Sequence, residues 1–310
     1  MEMPTAGAYA NPRVADALVF EAEADVCAAL IQDLESGGAA QAKAAQRLGG
    51  AIARWSFHPS GCRLVQAALE LCTVDVAVAL VSELRGSVRR ASESKHANFV
   101  LAKAVEVLPA EHVAFISEEL SGFASAAVRH QYGCRIFCRL IEHAGANAAT
   151  ARLIEHEVVR KAAELSQHEF AHYVVACVLE HGMPEQRRST ARVLLSERFA
   201  GLARNRHGRF VVETMFTHCS SEERSAALEV LRQSADPVDL AMHAHAHAAL
   251  GAALRTNVDG PAIAKELGAL ASTLAAAAPL LAQSKFGQRV LHAAEKMCAT
   301  PLPRFAAAGA

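Results

Sequence analysis

Apolar residues recur along the chain in seven short windows that align with one another without gaps. The windows are SGCRLVQ (60–66), HANFVLA (96–102), YGCRIFC (132–138), FAHYVVA (170–176), HGRFVVE (207–213), HAHAALG (245–251) and FGQRVLH (286–292). In every window the second residue is Gly or Ala, and the fifth and sixth residues are apolar. A small residue lets a neighbouring helix or a ligand approach the backbone closely, and the apolar residues turn one side of a helix toward a core. Each window therefore predicts an amphipathic helix.

The spacing of the windows predicts a repeat architecture. Successive windows begin 36, 36, 38, 37, 38 and 41 residues apart. Between them lie further amphipathic stretches with helix-start signals at Pro109, Pro184, Ser220 with Glu223, and Pro261. A unit of about 36 residues with two or three short helices cannot bury its own apolar face. We therefore expect an all-α solenoid of about seven stacked repeats.

The repeats are expected to occupy residues 45–300. Residues 1–44 contain no eighth window. The stretch from 14 to 34 has a helical pattern and the segment GGAAQAK (37–43) predicts a loop, so we interpret this part as an N-terminal cap. Residues 301–310 carry no matching pattern and are expected to form a C-terminal tail that frays.

Composition and charge agree with packed helices and restrict the nature of any site. Hydrophobic residues make up 52% of the chain but aromatic residues only 5%, which favours helices over a β-sandwich or barrel. The formal net charge of −1 provides no global basic field, so a nucleic-acid site would have to be local. The eight cysteines form no CxxC pair, which predicts reduced, mostly buried thiols.

No segment predicts export or membrane insertion. The N-terminus lacks a basic region followed by an apolar stretch. The Ala-rich run near 271–283 is interrupted by polar residues and is shorter than the roughly 18 to 20 apolar residues that a membrane span requires. We expect a cytoplasmic protein, with the nucleus or nucleolus as the alternative.

Three windows resemble a known family. YGCRIF, HANFVL and above all FAHYVVACVLEHGMPEQR (170–187) resemble the RNA-facing helix of Pumilio-family (PUF) repeats. The resemblance covers about residues 45–300 and is weakest in the window at 245–251. It implies a right-handed superhelical crescent that holds single-stranded RNA on its concave face, with about one base per repeat. It also implies a binding protein that is not an enzyme and has no cofactor.

The resemblance assigns a role to three places in each window. In the family, the third and seventh places read the base edge and the fourth place stacks on the base. The third and seventh places are one helical turn apart, so both project from one face. Stacking on a flat side chain is worth roughly 1 to 3 kcal/mol per base and tolerates any base. Six of the seven fourth-place residues are flat, with Ala248 as the exception, and they are Arg63, Phe99, Arg135, Tyr173, Phe210 and Arg289.

The predicted base-edge residues depart more from the family pattern. They are Cys62 and Gln66 in the first window, Asn98 in the second, Cys134 in the third, His172 in the fourth, Arg209 and Glu213 in the fifth, His247 in the sixth, and Gln288 and His292 in the seventh. Alanine and cysteine replace the usual second reader at Ala102 and Cys138. Loss of one arm of a paired contact costs on the order of 1 to 3 kcal/mol of discrimination.

The first three windows imply a short sequence preference. By resemblance, Cys62 with Gln66 reads adenine, Asn98 reads uracil and Cys134 reads adenine. Family members bind RNA antiparallel, so these windows would contact the 3′ side of the RNA. The resemblance therefore implies a weak preference for 5′-AUA-3′ there and loose reading of the 5′ half.

Two short motifs suggest metal chemistry. HEFAH (168–172) matches the H-E-x-x-H pattern of zinc proteases, in which two His bind zinc and Glu169 would act as the base. However, His172 falls at the third place of a window. His243 and His247 are also one helical turn apart, a chelating spacing, but are more simply explained as a polar helix face. We expect no metal site, and a zinc protease is the remote alternative.

The predicted function is binding of single-stranded RNA. The family resemblance implies that this RNA is mRNA, bound in its 3′ UTR, and that the protein acts in post-transcriptional regulation. The expected form is a monomer, with protein co-factors on the convex face. One alternative is a PUF-like protein-interaction scaffold that has lost RNA recognition. Another is a structure-selective relative of the ribosome-assembly type. Six basic residues near the windows would either neutralise phosphates or remain solvated charges, and they are Lys95, Lys103, Arg129, Arg139, Arg206 and Lys285.

Overall fold

The structure is a computed structural model that describes residues 12–195 and 199–299. Within these residues every regular element is helical, which confirms the predicted all-α repeat fold. The chain divides into two compact units, Met1–Glu119 and Leu120–Ala310. None of the described helices is both long and apolar enough to cross a membrane.

The first unit contains the first two windows. Its helices are α1 (Pro12–Ser36), α2 (Gly38–Leu48), α3 (Ile52–Ser56), α4 (Gly61–Leu71), α5 (Val74–Ser82), α6 (Val88–Glu93), α7 (Ala97–Val107) and α8 (Ala114–Leu120), the last of which ends at the unit boundary. The window helices α4 and α7 pack against each other, and each also packs on the short helix that precedes it. Helix α1 packs against α2 and α4, so it lies beside the first window helix as a neighbouring repeat would.

The second unit contains the other five windows. Its helices are α9 (Ala124–Ala127), α10 (Gly133–Ala144), α11 (Ala148–Leu153), a π-helical turn (Ile154–Val158), a 3-10 turn (Val159–Lys161), α12 (Ala162–Leu165), α13 (Ala171–His181), α14 (Pro184–Leu194), α15 (Phe199–Arg204), α16 (Gly208–His218), α17 (Ser221–Ser234), α18 (Pro237–Met242), α19 (Ala246–Leu254), α20 (Pro261–Ala276), α21 (Ala278–Leu281) and α22 (Lys285–Ala299). The window helices α10, α13, α16, α19 and α22 pack in series, each against the next. The repeat is thus a short helix, a window helix and a third helix.

A polar residue two places before each window caps the window helix. Its side chain accepts hydrogen bonds from one or two backbone N–H groups at the helix start, which would otherwise have no partner in the helix. These acceptors are His58, Ser94, His130, His168, Asn205, His243 and Ser284. The sequence pattern at this place was missed because histidine is not among the residues usually expected to cap a helix.

The small residue at the second place of each window is required by helix packing. A Cβ atom at Gly61 would lie 2.5 Å from the carbonyl oxygen of Trp55, and one at Gly208 would lie 2.7 Å from that of Leu202. In both cases the backbone of the preceding short helix fills the space. The alanines at this place are completely buried. The close approach is therefore made by a neighbouring helix.

Glutamates connect the start and the end of three repeats. Glu83 accepts hydrogen bonds from the backbone N–H groups of Gly50 (2.7 Å) and Ile52 (3.0 Å). Glu119 makes the same contacts with Gly86 and Val88 one repeat later, and a third such contact joins Glu157 to Gly122 at 2.6 Å. The three glycines have φ between 74° and 79°, a backbone conformation that favours glycine. Each contact fixes the turn before the short helix of a repeat to the end of the same repeat.

The structure departs from the sequence predictions at two places. Residues 37–43 were expected to form a loop, but helix α2 begins at Gly38. Only the two glycines have positive φ, and the following Ala, Gln and Lys are strong helix formers. Pro109 does not begin a helix, because α8 starts at Ala114. The predicted helix at 14–34 and the capping box of Ser220 with Glu223 are confirmed, and the predicted tail lies outside the described residues.

Candidate nucleic-acid interface

The third, fourth and seventh places of the windows lie on one side of each window helix, which we call the reader face. The apolar residues of the fifth and sixth places, such as Leu64 and Val65, are buried in the first six windows, and in the seventh Val290 is buried and Leu291 half-buried. The fourth-place residues, in contrast, are exposed, and they are Arg63, Phe99, Arg135, Tyr173, Phe210 and Arg289. The three aromatic rings are 42%, 58% and 41% exposed for Phe99, Tyr173 and Phe210. Six flat side chains are therefore accessible in the predicted register.

The third place of the first and third windows carries buried thiols. Cys62 and Cys134 are each 5% exposed. The Sγ atom of Cys62 lies 3.2 Å from the carbonyl oxygen of Pro59, and that of Cys134 lies 3.5 Å from that of Gln131. Burial raises the pKa of both thiols, for Cys134 to about 11. Both groups are therefore neutral and poorly reactive at neutral pH.

The amide side chains of the first two windows bond to their own helices. The Nε2 atom of Gln66 donates to the carbonyl oxygen of Cys62 at 2.9 Å. Asn98 is 1% exposed, and its Nδ2 atom donates to the carbonyl oxygen of Ser94 at 2.7 Å. Among the described residues the Oδ1 atom of Asn98 has no hydrogen-bond partner. This oxygen is an acceptor that the protein itself does not satisfy.

The third place of the fourth window carries a buried imidazole. His172 is 1% exposed, and its Nδ1 atom lies 3.0 Å from the carbonyl oxygen of His168. Its ring contacts the rings of Tyr173, His207 and Phe210 at centroid distances of 3.9, 5.2 and 5.6 Å. Burial lowers the pKa of His172, opposed by its hydrogen bond to His168. The ring is therefore neutral at neutral pH.

The fifth window pairs its two predicted readers with each other. The Nη1 atom of Arg209 lies 2.7 Å from the Oε1 atom of Glu213, one helical turn later. The guanidinium of Arg209 also lies 3.8 Å from the centre of the Phe210 ring. The two side chains thus neutralise each other's charge beside a stacking residue.

The last two windows differ in how far their readers are exposed. The Nδ1 atom of His247 lies 3.1 Å from the carbonyl oxygen of His243, and its ring stacks on Phe286 with centroids 4.7 Å apart. Gln288 and His292 are exposed, and the Nε2 atom of Gln288 donates to the carbonyl oxygen of Ala282 at 2.8 Å. The structure therefore leaves the seventh window open to solvent and half-buries the sixth.

The first place of the windows carries a signal that sequence reasoning missed. Six of the seven first-place residues have a ring: His96, Tyr132, Phe170, His207, His245 and Phe286. In two cases this ring contacts the third-place histidine of the preceding repeat, as His207 does with His172 and Phe286 with His247. The recurrence of rings at this place could have indicated that it lines the reader face.

Half of the basic residues near the windows are paired with carboxylates. The Nζ atom of Lys103 lies 3.6 Å from both Glu70 and Glu106. Arg129 pairs with Glu164 at 2.6 Å, and Arg139 pairs with Glu142. The other three, Lys95, Arg206 and Lys285, are exposed. Their expected role at phosphates stays a prediction.

The histidines of the two metal-like motifs make hydrogen bonds to the backbone. His168 and His243 cap window helices through Nδ1, and the Nδ1 atoms of His172 and His247 face carbonyl oxygens. Within residues 12–195 and 199–299, no three His, Cys, Asp or Glu side chains gather where they could hold a metal ion. The backbone contacts thus account for these four rings.

Comparisons with known proteins agree with the geometry of the repeats. The Pumilio-family RNA binding repeat matches residues 52–85, 94–121, 129–156, 161–190 and 198–231. These ranges contain the first five windows. A comparison with curated protein sequences finds no match.

Solved structures with similar folds are PUF domains. The crystal structure of PUF-8 in complex with PBE-RNA matches with a TM-score of 0.75 and 21% identity, over 83% of this chain and 74% of that one. The Puf3 RNA binding domain bound to a Cox17 RNA 3′ UTR recognition sequence (site B) matches with a TM-score of 0.72 and 22% identity, over 87% of this chain and 79% of that one. The RNA-binding domain of yeast Puf5p bound to SMX2 RNA matches with a TM-score of 0.67 and 14% identity, over 89% of this chain and 82% of that one. Both the repeat matches and the shared fold lead to one conclusion: the chain belongs to the Pumilio (PUF) family of RNA-binding repeat proteins.

Proposed function

We propose that this chain binds single-stranded RNA on its reader face, chiefly by stacking bases on the fourth-place side chains. The observation that carries the proposal is the exposure of a flat side chain at this one place in six of the seven window helices, next to apolar places that face the core. Single exposed apolar side chains are normal on a protein surface, but flat side chains exposed at the same place of successive repeats indicate an interaction surface. A solved PUF relative holds PBE-RNA and another holds a Cox17 3′ UTR sequence.

The proposed binding depends more on stacking than on charge. Each stacked base contributes roughly 1 to 3 kcal/mol. The chain carries a net charge of −1, and Lys103, Arg129 and Arg139 are already paired with carboxylates. Affinity should therefore persist on RNAs of different sequence and weaken only moderately with salt.

Sequence preference should be confined to the 3′ side of the RNA. Cys62, Asn98 and Cys134 occupy the third places of the first three windows, where the family resemblance implies 5′-AUA-3′. Among the described residues the Oδ1 atom of Asn98 has no hydrogen-bond partner, but it is buried, so it accepts from the N3–H donor of uracil only if the side chain turns toward the RNA. In the fifth window, Arg209 and Glu213 satisfy each other, which favours loose reading of the 5′ half.

The cellular role we propose is regulation of mRNA through its 3′ UTR, without chemistry on the RNA. This proposal is supported by the match to the Pumilio-family RNA binding repeat and by the 3′ UTR sequence bound to the Puf3 domain. A protein-interaction scaffold is the competing function, favoured by the ion pairs near the reader face.

The test is fluorescence-anisotropy binding of a labelled RNA heptamer, 5′-UUUUAUA-3′, at about 50 and 200 mM salt. The variant Arg63→Ala/Arg135→Ala/Tyr173→Ala removes three flat side chains. Its charge-matched control, Arg188→Ala/Arg192→Ala/Met183→Ala, changes two exposed residues of α14 and the exposed residue at its N-cap. We expect the first variant to bind at least about 100-fold more weakly and the control to bind as wild type does. No binding by the wild type, or equal losses in both variants, would favour the scaffold function.

A further inference from the structure

The fourth window carries a third-place side chain that fills space on the reader face. The first three windows have Cys62, Asn98 and Cys134 there, none of which has a ring. His172 is buried as Asn98 is, but it is larger and its ring contacts the rings of Tyr173 and Phe210. This difference bears on whether every repeat can accept a base.

The imidazole of His172 contacts the fourth-place rings of two consecutive repeats. The centroid of His172 lies 3.9 Å from that of Tyr173, with 36° between the planes. It lies 5.6 Å from that of Phe210, with an interplanar angle of 24°. The rings of His172 and Phe210 are therefore stacked, and those of His172 and Tyr173 are in tilted contact. If one base per repeat alternates with the fourth-place side chains, the base of the fourth repeat would have to lie where this imidazole now contacts both rings.

Hydrogen bonds hold the imidazole in place from the backbone side. The Nδ1 atom of His172 lies 3.0 Å from the carbonyl oxygen of His168, so Nδ1 carries the proton and Nε2 is the acceptor. His168 is itself fixed, because its Nδ1 atom accepts from the backbone N–H groups of Phe170 (3.2 Å) and Ala171 (3.4 Å). Among the described residues Nε2 of His172 has no partner, and it is buried. A base edge cannot reach it unless the ring moves.

We propose that His172 takes the place of a base in the stack, so that the RNA nucleotide facing the fourth repeat is bound without stacking or reading of its base. This inference rests on the proposed function. The ligand class is a single-stranded RNA with one central nucleotide whose base is dispensable, between two stretches whose bases contribute to affinity. The base that faces the third repeat can still stack on Tyr173, and the base that faces the fifth repeat can still stack on Phe210.

The second repeat supplies a substitution that opens the site while keeping its hydrogen bond. Asn98 occupies the same place, and its Nδ2 atom donates to the carbonyl oxygen of Ser94, four residues earlier. His172 makes the equivalent contact with His168. The variant His172→Asn therefore keeps a donor to the i−4 carbonyl and removes the ring. His181→Asn, at an exposed residue of the same helix, is the matched control.

The experiment is an abasic scan of the heptamer 5′-UUUUAUA-3′, with each nucleotide in turn replaced by one that lacks its base. In the antiparallel register the fourth nucleotide faces the fourth repeat. For wild type and His181→Asn we expect the fourth abasic RNA to bind within about 2-fold of the intact RNA, while both neighbours weaken binding at least about 5-fold. For His172→Asn the fourth position should also become sensitive, and the intact RNA should bind more tightly.

The inference would be overturned if, for the wild-type protein, loss of the fourth base weakened binding as much as loss of a neighbouring base. That result would mean that a base displaces the imidazole. A fourth position that stays insensitive in a folded His172→Asn variant would also overturn it. If circular dichroism shows that His172→Asn does not fold, the wild-type scan alone decides. Absence of binding to every heptamer contradicts the proposed function itself, so the two failures are distinguishable.

Discussion

Four buried or half-buried histidines make the stability of the protein depend on pH. Burial lowers the pKa of His96, His172, His207 and His243 below their ordinary value of 6.5. The unfolded chain then takes up protons at a higher pH than the folded chain does. Their contribution to stability is therefore complete above about pH 6.5 and decreases as the pH falls below it.

We predict that the free energy of unfolding, measured in urea, is constant from pH 8 to 7 and falls between about pH 6.5 and 5. His172, which is 1% exposed, should contribute up to about 1.4 kcal/mol per pH unit over the interval between its unfolded and folded pKa values. The variant His172→Asn should show a shallower decline. A stability that rises on acidification through this range would contradict the lowered pKa values.

Gly133 and Gly268 should respond in opposite ways to the same substitution. A Cβ atom at Gly133 would clash with the carbonyl oxygen of Ala127, while at Gly268, within α20, no atom lies within 4 Å of the added carbon. We expect Gly133→Ala to destabilise by about 1 to 3 kcal/mol and Gly268→Ala to stabilise by about 0.5 to 1 kcal/mol. Urea denaturation measures both. Equal changes in the free energy of unfolding would show that α9, which contains Ala127, shifts at little cost to accommodate the added carbon.

The residue types of the windows predicted which side chains are exposed, but not what each third-place residue contacts. Exposure of Arg63, Phe99 and Tyr173 follows from their register beside buried apolar places. The contact of His172 with Phe210 depends on how two repeats that are 37 residues apart in sequence pack together. A sequence pattern within one repeat contains no information on that contact.

The helices themselves were predictable because apolar periodicity recurs in every repeat. Their starting points depend on caps, and His130 caps α10 through a hydrogen bond to the backbone N–H of Tyr132 at 3.3 Å. Ser94 performs the same task for α7 with its hydroxyl. Histidine, through Nδ1, and serine, through its hydroxyl, thus provide a hydrogen-bond acceptor at the same place before the window helix. A search for the usual capping residues therefore finds only some of the window-helix starts.

We predict that His130→Ala destabilises the protein by about 1 kcal/mol and that His130→Ser recovers most of the loss. The reason is that serine restores an acceptor for the first N–H groups of α10. Thermal unfolding followed by circular dichroism measures the difference. If alanine and serine variants are equally destabilised, the ring of His130 matters through its contact with Tyr132 and not through capping.

Over the whole molecule, charge balance should limit the salt dependence of RNA binding. The exposed basic residues near the windows that carry no described carboxylate pair are Lys95, Arg206 and Lys285. If each neutralises one phosphate, the slope of log K against log salt is about −2 for a single strand. Anisotropy titrations at several salt concentrations measure it. A slope of about −5 or steeper would show that phosphate contacts, and not stacking, provide most of the affinity.

The central claim is that flat side chains on the reader face hold RNA, and Tyr173 tests it most directly because its ring is the most exposed, at 58%. The measurement is the affinity of the heptamer 5′-UUUUAUA-3′ for Tyr173→Phe and Tyr173→Leu. Both variants keep an apolar side chain, but only phenylalanine keeps a flat one. We predict that Tyr173→Phe binds within about 2-fold of wild type and that Tyr173→Leu binds at least about 5-fold more weakly. Equal affinity of the two variants, with both folded, would contradict stacking as the source of binding.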